Sequence, residues 1–149
     1  MIKLTGTLIE RLNKALELIH TDVTKEELNL FYSVYSKLQI KLFLSAVEFF
    51  KKYAGSFREK YIVLEDSKFN DEVCLDCYVP LLKYHYSYVF DSKKLEENAL
   101  REIKDLMDFI DEVKNVSKRD VIPIARIGYY YPADVFIDEE GLLYCLYEF

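Results

Sequence analysis

Tryptophan is absent from the 149 residues, and glycine (4), proline (3), cysteine (3) and histidine (2) are all scarce. Each scarcity excludes something. Four isolated glycines cannot build a phosphate-cradling loop, and there is no Gly-x-Ser-x-Gly elbow to present a nucleophilic serine. With only His20 and His85 available, a Ser-His-Asp or Cys-His relay has little to draw on. An odd number of cysteines makes no disulfide framework, which agrees with a reducing compartment. The glycines and prolines are scattered singly, so no linker or low-complexity stretch divides the chain, and no repeat of solenoid period is found. The longest apolar stretch, residues 40–53, is interrupted by Lys41, Glu48, Lys51 and Lys52. It falls short of the roughly 18 uninterrupted apolar residues that a membrane span needs. Residues 1–6 lack the basic start and long apolar run of a secretory signal. The expectation is a cytoplasmic protein with no membrane association.

What is present is apolar material: 51% of the residues, enough for one domain spanning 1–149 to bury its own core without metal or disulfide staples. The formal net charge is −6, which argues against direct nucleic-acid binding, since phosphate contacts need a basic face. The same charge suits a basic protein partner through complementary steering, and it also serves solubility alone.

Thr7 followed by Glu10 reads as a capping box, and Leu8, Leu12, Leu16 and Ile19 recur at helical spacing, so a first helix is expected to about His20. Thr24 and Glu27 repeat the capping pattern. From Leu28 to Tyr53 the apolar positions are so dense that a central buried helix is expected, with Gly55 as its C-terminal stop. The pattern then changes. Residues 61–64 and 74–79 are short, aromatic or β-branched, and bounded by polar clusters and Pro80, as strands are; residues 84–90 read as extended or loop. A long amphipathic helix is expected from Asp91 or Ser92, with Leu95, Ala99, Ile103, Leu106, Ile110 and Val113 on one face. Residues 133–137 and 142–146 read as two strands joined by Asp138-Glu139-Glu140-Gly141, a turn whose glycine can supply positive φ. Helices first and sheet closing the chain make an α+β fold with largely antiparallel pairing.

Two elements carry a family resemblance. One is an apolar helix ending in an aromatic and a glycine (Ala46, Phe49, Phe50, Tyr53, Gly55); the other is Pro123, Ile124, Ile127 and Gly128, followed by a strand, Ile137, Asp138, Gly141 and a strand with Tyr144. In order and spacing these resemble the SUKH superfamily of bacterial immunity proteins, its third subfamily in particular, over about two-thirds of the chain. The resemblance implies a SUKH-like domain, a mainly antiparallel sheet packed against helices. It also implies a non-enzymatic antitoxin that binds a cognate secreted toxin, often a nuclease, and blocks its active site in the producing cell. A nuclease is basic where it holds phosphate, which gives the acidic charge of this chain a task. Asp134, Asp138, Glu139, Glu140 and Glu148 are the candidate contacts, although for any single one the plainer reading is a solvated turn or strand-edge carboxylate. The 13 tyrosines fall partly into two clusters, 84–88 and 129–131. Tyrosine supplies rigid contact area at low entropic cost. Three consecutive rings on an extended segment cannot all point into one core, so Tyr129, Tyr130 and Tyr131 join the candidate interface.

Other chemistry finds less support. Cys74 and Cys77 form a Cys-x-x-Cys pair, but both lie in an expected strand, where residues three apart face opposite ways, and no second paired motif completes a zinc site. Free thiols are the plainer reading. Adjacent carboxylates in a turn have neither the desolvation nor the separation of an acid–base pair. No catalytic residue, metal or cofactor is assigned. The alternative to an immunity protein is a small cytoplasmic regulatory or scaffold domain that binds another cellular protein.

Overall fold

The structure, a computed structural model, describes residues 4–56, 62–66, 71–75, 77–78, 92–127 and 133–146. The fold is α+β. The tyrosine clusters at 84–88 and 129–131, Gly128 and Glu148 lie outside the described residues.

Both capping boxes form. Helix α1 (Leu8–Ile19) opens with Glu10 N–H donating to Thr7 Oγ1 (3.2 Å) and Thr7 N–H donating to Glu10 Oε2 (3.3 Å). Helix α2 (Lys25–Lys37) repeats the exchange between Thr24 and Glu27 at 3.1 and 2.8 Å. Each box satisfies two of the backbone donors that a helix start leaves over.

The dense apolar stretch is not one helix. Helix α2 ends with Gln39 at φ 58°, where Gln39 N–H reaches Ser36 O and Ile40 N–H reaches Tyr35 O, both at 3.0 Å. That is a Schellman closure with glutamine in the place usually held by glycine. After it, α3 (Leu44–Phe49) runs directly into a π-helical turn, Phe50–Ala54. Apolar density reported burial rather than continuity. Phe31 of α2 and Phe50 of the π turn stack at 4.1 Å between ring centroids, and Phe31 also meets Tyr35 at 4.7 Å. Gly55 is likewise not the left-handed cap expected: its φ is −67°, and it is needed because a Cβ there would lie 2.1 Å from Thr21 O. The loop leading into α2 packs directly on its backbone.

Strands β1 (Ile62–Asp66) and β2 (Asp71–Leu75) form a separate antiparallel pair. The stretch expected as one strand from Cys74 is divided: Cys74 lies in β2, whereas Cys77 opens β3 (Cys77–Tyr78), which pairs with β4 (Val121–Ile127) in the other sheet. The four-stranded sheet has the order β3-β4-β5-β6, with β5 (Ala133–Asp138) and β6 (Leu143–Leu146) joined by the expected hairpin, and its pairings are all antiparallel. A register shift between Pro123 and Ala125 lets the proline sit in β4. Pro123 O accepts a 2.7 Å hydrogen bond from the buried Tyr35 hydroxyl, whose pKa is pushed far up by burial.

The amphipathic helix also breaks, into α4 (Ser92–Met107) and α5 (Ile110–Ser117). The break serves the layers. Ala99 and Ile103 of α4 join the main core with Ile124, Val135 and Ile137 on one sheet face. Val113 of α5 packs with Val121 and Phe136 on the other. Since successive strand residues face opposite ways, covering both faces buries all six residues of β5. Among the described residues no helix is long and apolar enough to cross a membrane.

Candidate functional site

The β5–β6 hairpin gathers the features most suited to function, and Asp138 organises it. Its Oδ1 accepts the backbone N–H of Glu140 (2.9 Å) and of Leu142 (3.0 Å), while Oδ2 accepts the Tyr144 hydroxyl (2.9 Å). Its backbone carbonyl takes the Ser45 hydroxyl at 2.6 Å and Gly141 N–H at 3.1 Å. Gly141 supplies φ 86°, the positive value the turn requires. The aspartate is only 1% exposed. Burial by itself pushes its carboxyl up, and the hydrogen bonds from Leu142, Tyr144 and Glu140, with the Arg119 guanidinium 3.9 Å away, outweigh that and hold it below its ordinary value. The bond to that carboxylate pushes the Tyr144 phenol up in turn.

This corrects part of the sequence expectation. Asp138 is turned inward and its oxygens are engaged within the hairpin, so it shapes the turn and offers no contact surface. Asp134 is buried as well, 2.8 Å from Arg126 Nε across the β4–β5 pairing. A carboxylate on a strand covered on both faces needs such a partner. Glu139 and Glu140 are exposed at the tip, where Arg119 meets Glu140 at 2.7 Å. Tyr129, Tyr130 and Tyr131 lie outside the described residues.

Beside the tip runs a groove of about 310 Å³, with Leu44, Glu48 and Phe49 along its helical wall, Ile137 at its floor and Glu139 and Glu140 at its lip. The α3 end is held there by the Ser45 bond. Leu44 is 72% exposed, and on the hairpin side Leu142 (53%) and Leu143 (49%) are open too. Sequence reasoning missed Leu44 because it read the apolar run around that residue as core, whereas Leu142 and Leu143 fall in the stretch read as the final strand. The available signal was position: the first residue of a helix sits at the rim of a layer, where burial runs out. Arg119 was missed for a different reason, since it follows α5 in sequence and only the β4–β5 pairing brings it to the tip.

This part of the surface carries the exposed aliphatic side chains of Leu44, Leu142 and Leu143 and the exposed carboxylates of Glu139 and Glu140. A second groove, about 540 Å³, adjoins it through Lys52 and Tyr53, with His20 on its wall 3.1 Å from Asp22. Among the described residues no group of three or more His, Cys, Asp or Glu is placed to hold a metal ion. Cys145, on the open side of β6, has its thiol pushed up by partial desolvation, the opposite of nucleophile activation. The chain matches no family model, no curated protein and no solved structure.

Proposed function

We propose that this protein acts by binding another protein, and that it is a SUKH-like immunity protein that occludes a cognate secreted toxin, a basic nuclease domain, in the cytoplasm of the producing cell. The observation that carries this is the hairpin-tip surface: Leu44, Leu142 and Leu143 exposed beside a groove whose lip is Glu139 and Glu140. An apolar centre with an acidic border is the complement of a phosphate-binding face, whose cations would meet the glutamates while the leucines are desolvated. The SUKH resemblance supports the same role, and its residues Pro123, Ile137, Asp138, Gly141 and Tyr144 belong to the strands and turn that build this surface.

The test is a pull-down from the producing strain with the whole protein as bait, followed by an activity assay on what is captured. A toxin domain whose activity the bait blocks is expected, and Glu139→Lys with Glu140→Lys should weaken that complex by about 10- to 100-fold, mainly through slower association. Recovery of ordinary cytoplasmic proteins alone, with no toxin encoded nearby, rejects the immunity role and leaves a regulatory or scaffold domain.

A further inference from the structure

A hollow of about 170 Å³ opens beside the hairpin tip, and among the described residues one cation, Arg119, lines it. The backbone places that cation. Helix α5 ends at Ser117, Lys118 turns the chain with φ 59°, and β4 then sets Val121 opposite Asp138. Arg119, between the turn and the strand, is thereby carried past the end of β5. Its own peptide groups are tied down: Arg119 N–H donates to Ser117 Oγ at 3.2 Å, and the Ser117 hydroxyl donates to Arg119 O at 3.3 Å. The guanidinium lies 2.7 Å from Glu140 Oε2 and 3.9 Å from Asp138 Oδ2.

The other described residues around the hollow are Asp120, Asp138, Glu139 and Glu140, and they differ in what already holds them. Asp120 pairs with Lys114 at 3.2 Å. Asp138 is engaged by the Glu140 and Leu142 N–H groups and the Tyr144 hydroxyl, and Glu140 is held by Arg119. Glu139 has no ion pair or side-chain hydrogen bond among the described residues, and it stands on the lip of the 310 Å³ groove as well. An incoming cation therefore meets one unpaired carboxylate and one that must first release an arginine.

We infer that Arg119 is an internal competitor at this lip: it occupies Glu140, so a basic partner makes its first contact at Glu139 and gains Glu140 only by displacing the guanidinium. The inference rests on the proposed reading of the tip as the place where a basic protein docks. Displacement is feasible because the pair is open to water. The Arg119 side chain is 43% exposed and that of Glu140 65%, and a pair of this kind resists exchange by no more than about 5-fold. An arginine of the partner offers Glu140 the same charge-assisted bond, so the exchange restores what it breaks.

The probe is N-acetyl-tri-arginine amide, titrated into the full chain at low ionic strength, where surface charges are least screened, with the amide signals of residues 139–142 followed by NMR. Glu139→Gln is expected to weaken binding at the tip by about 3-fold or more, and Glu140→Gln by less than about 2-fold. In an Arg119→Gln background the two glutamate substitutions should become equal, because the competitor is gone. Arg119→Gln alone should tighten binding by about 3- to 5-fold. Lys118→Asn removes the same charge one residue away from an exposed side chain that has no ion pair among the described residues, so its gain should be smaller. Equal losses for Glu139→Gln and Glu140→Gln in the wild-type background, an Arg119→Gln gain no larger than that of Lys118→Asn, or no shift at residues 139–142 overturns the inference. A pull-down that returns no toxin rejects the immunity role and leaves these titrations to decide the competition by themselves.

Discussion

Strands β5 and β6 are neighbours in one hairpin, both apolar in composition, yet every residue of β5 is buried whereas β6 alternates between exposed and half-buried. The difference lies in what covers them. The α1–α4 layer covers one face of β5 and α5 the other, but at β6 only the α5 side is filled. The same kind of residue therefore holds the fold together in one strand and is available for contact in the next. The charges divide the same way: Asp134 and Asp138 are enclosed with their partners, while Glu139 and Glu140, a step further along the chain, are exposed.

Truncation separates the two strands most sharply. Phe136→Ala removes a fully buried ring from the α5 side of β5 and should cost about 4 kcal/mol in urea unfolding. The equivalent loss on β6, Leu143→Ala, should stay within about 0.5 kcal/mol because that side chain is already half in water. Equal costs would mean that β6 is covered as fully as β5.

Next in size is Asp138. Replacing it with alanine leaves the Leu142 and Glu140 N–H groups and the Tyr144 hydroxyl without their acceptor, at a cost of about 3 kcal/mol. The pH dependence has a definite sign. A carboxyl held below its ordinary value of 3.8 stabilises the folded state fully above that value, and the contribution is lost as pH falls through the lower folded value. The stability gap between wild type and Asp138→Asn should therefore be constant above about pH 5 and shrink on acidification below about pH 4. A gap that instead widened in acid would show that the aspartate is not held ionised by its donors.

How much of this was legible in the sequence depends on how local the cause is. Both capping boxes and the hairpin could be read because each is decided within four residues, by Thr7 and Glu10, Thr24 and Glu27, or Asp138 and Gly141. The break at Gln39 could not, since neither glycine nor proline marks it and the left-handed residue is a glutamine. The division of Cys74 and Cys77 between two sheets was equally hidden, because strand partners lie far off in sequence. Asp138 was recognised but misjudged. Its charge suggested exposure, while its real signal was a short acceptor at the start of a turn whose own N–H groups need one.

The smallest effect is the most informative about function. Glu139→Ala with Glu140→Ala removes two exposed carboxylates, one of them paired with Arg119 at the surface, and should change stability by no more than about 0.5 kcal/mol. Tyr144→Phe, which takes one hydrogen bond from Asp138 and leaves the backbone donors in place, should cost about 1 kcal/mol. If the glutamate pair proved as costly as the tyrosine, the carboxylates at the tip would be explained by folding alone. A neutral result leaves two carboxylates that the fold does not need, at the lip of a groove that the exposed Leu44 also lines, which is where the proposed partner contact would be made.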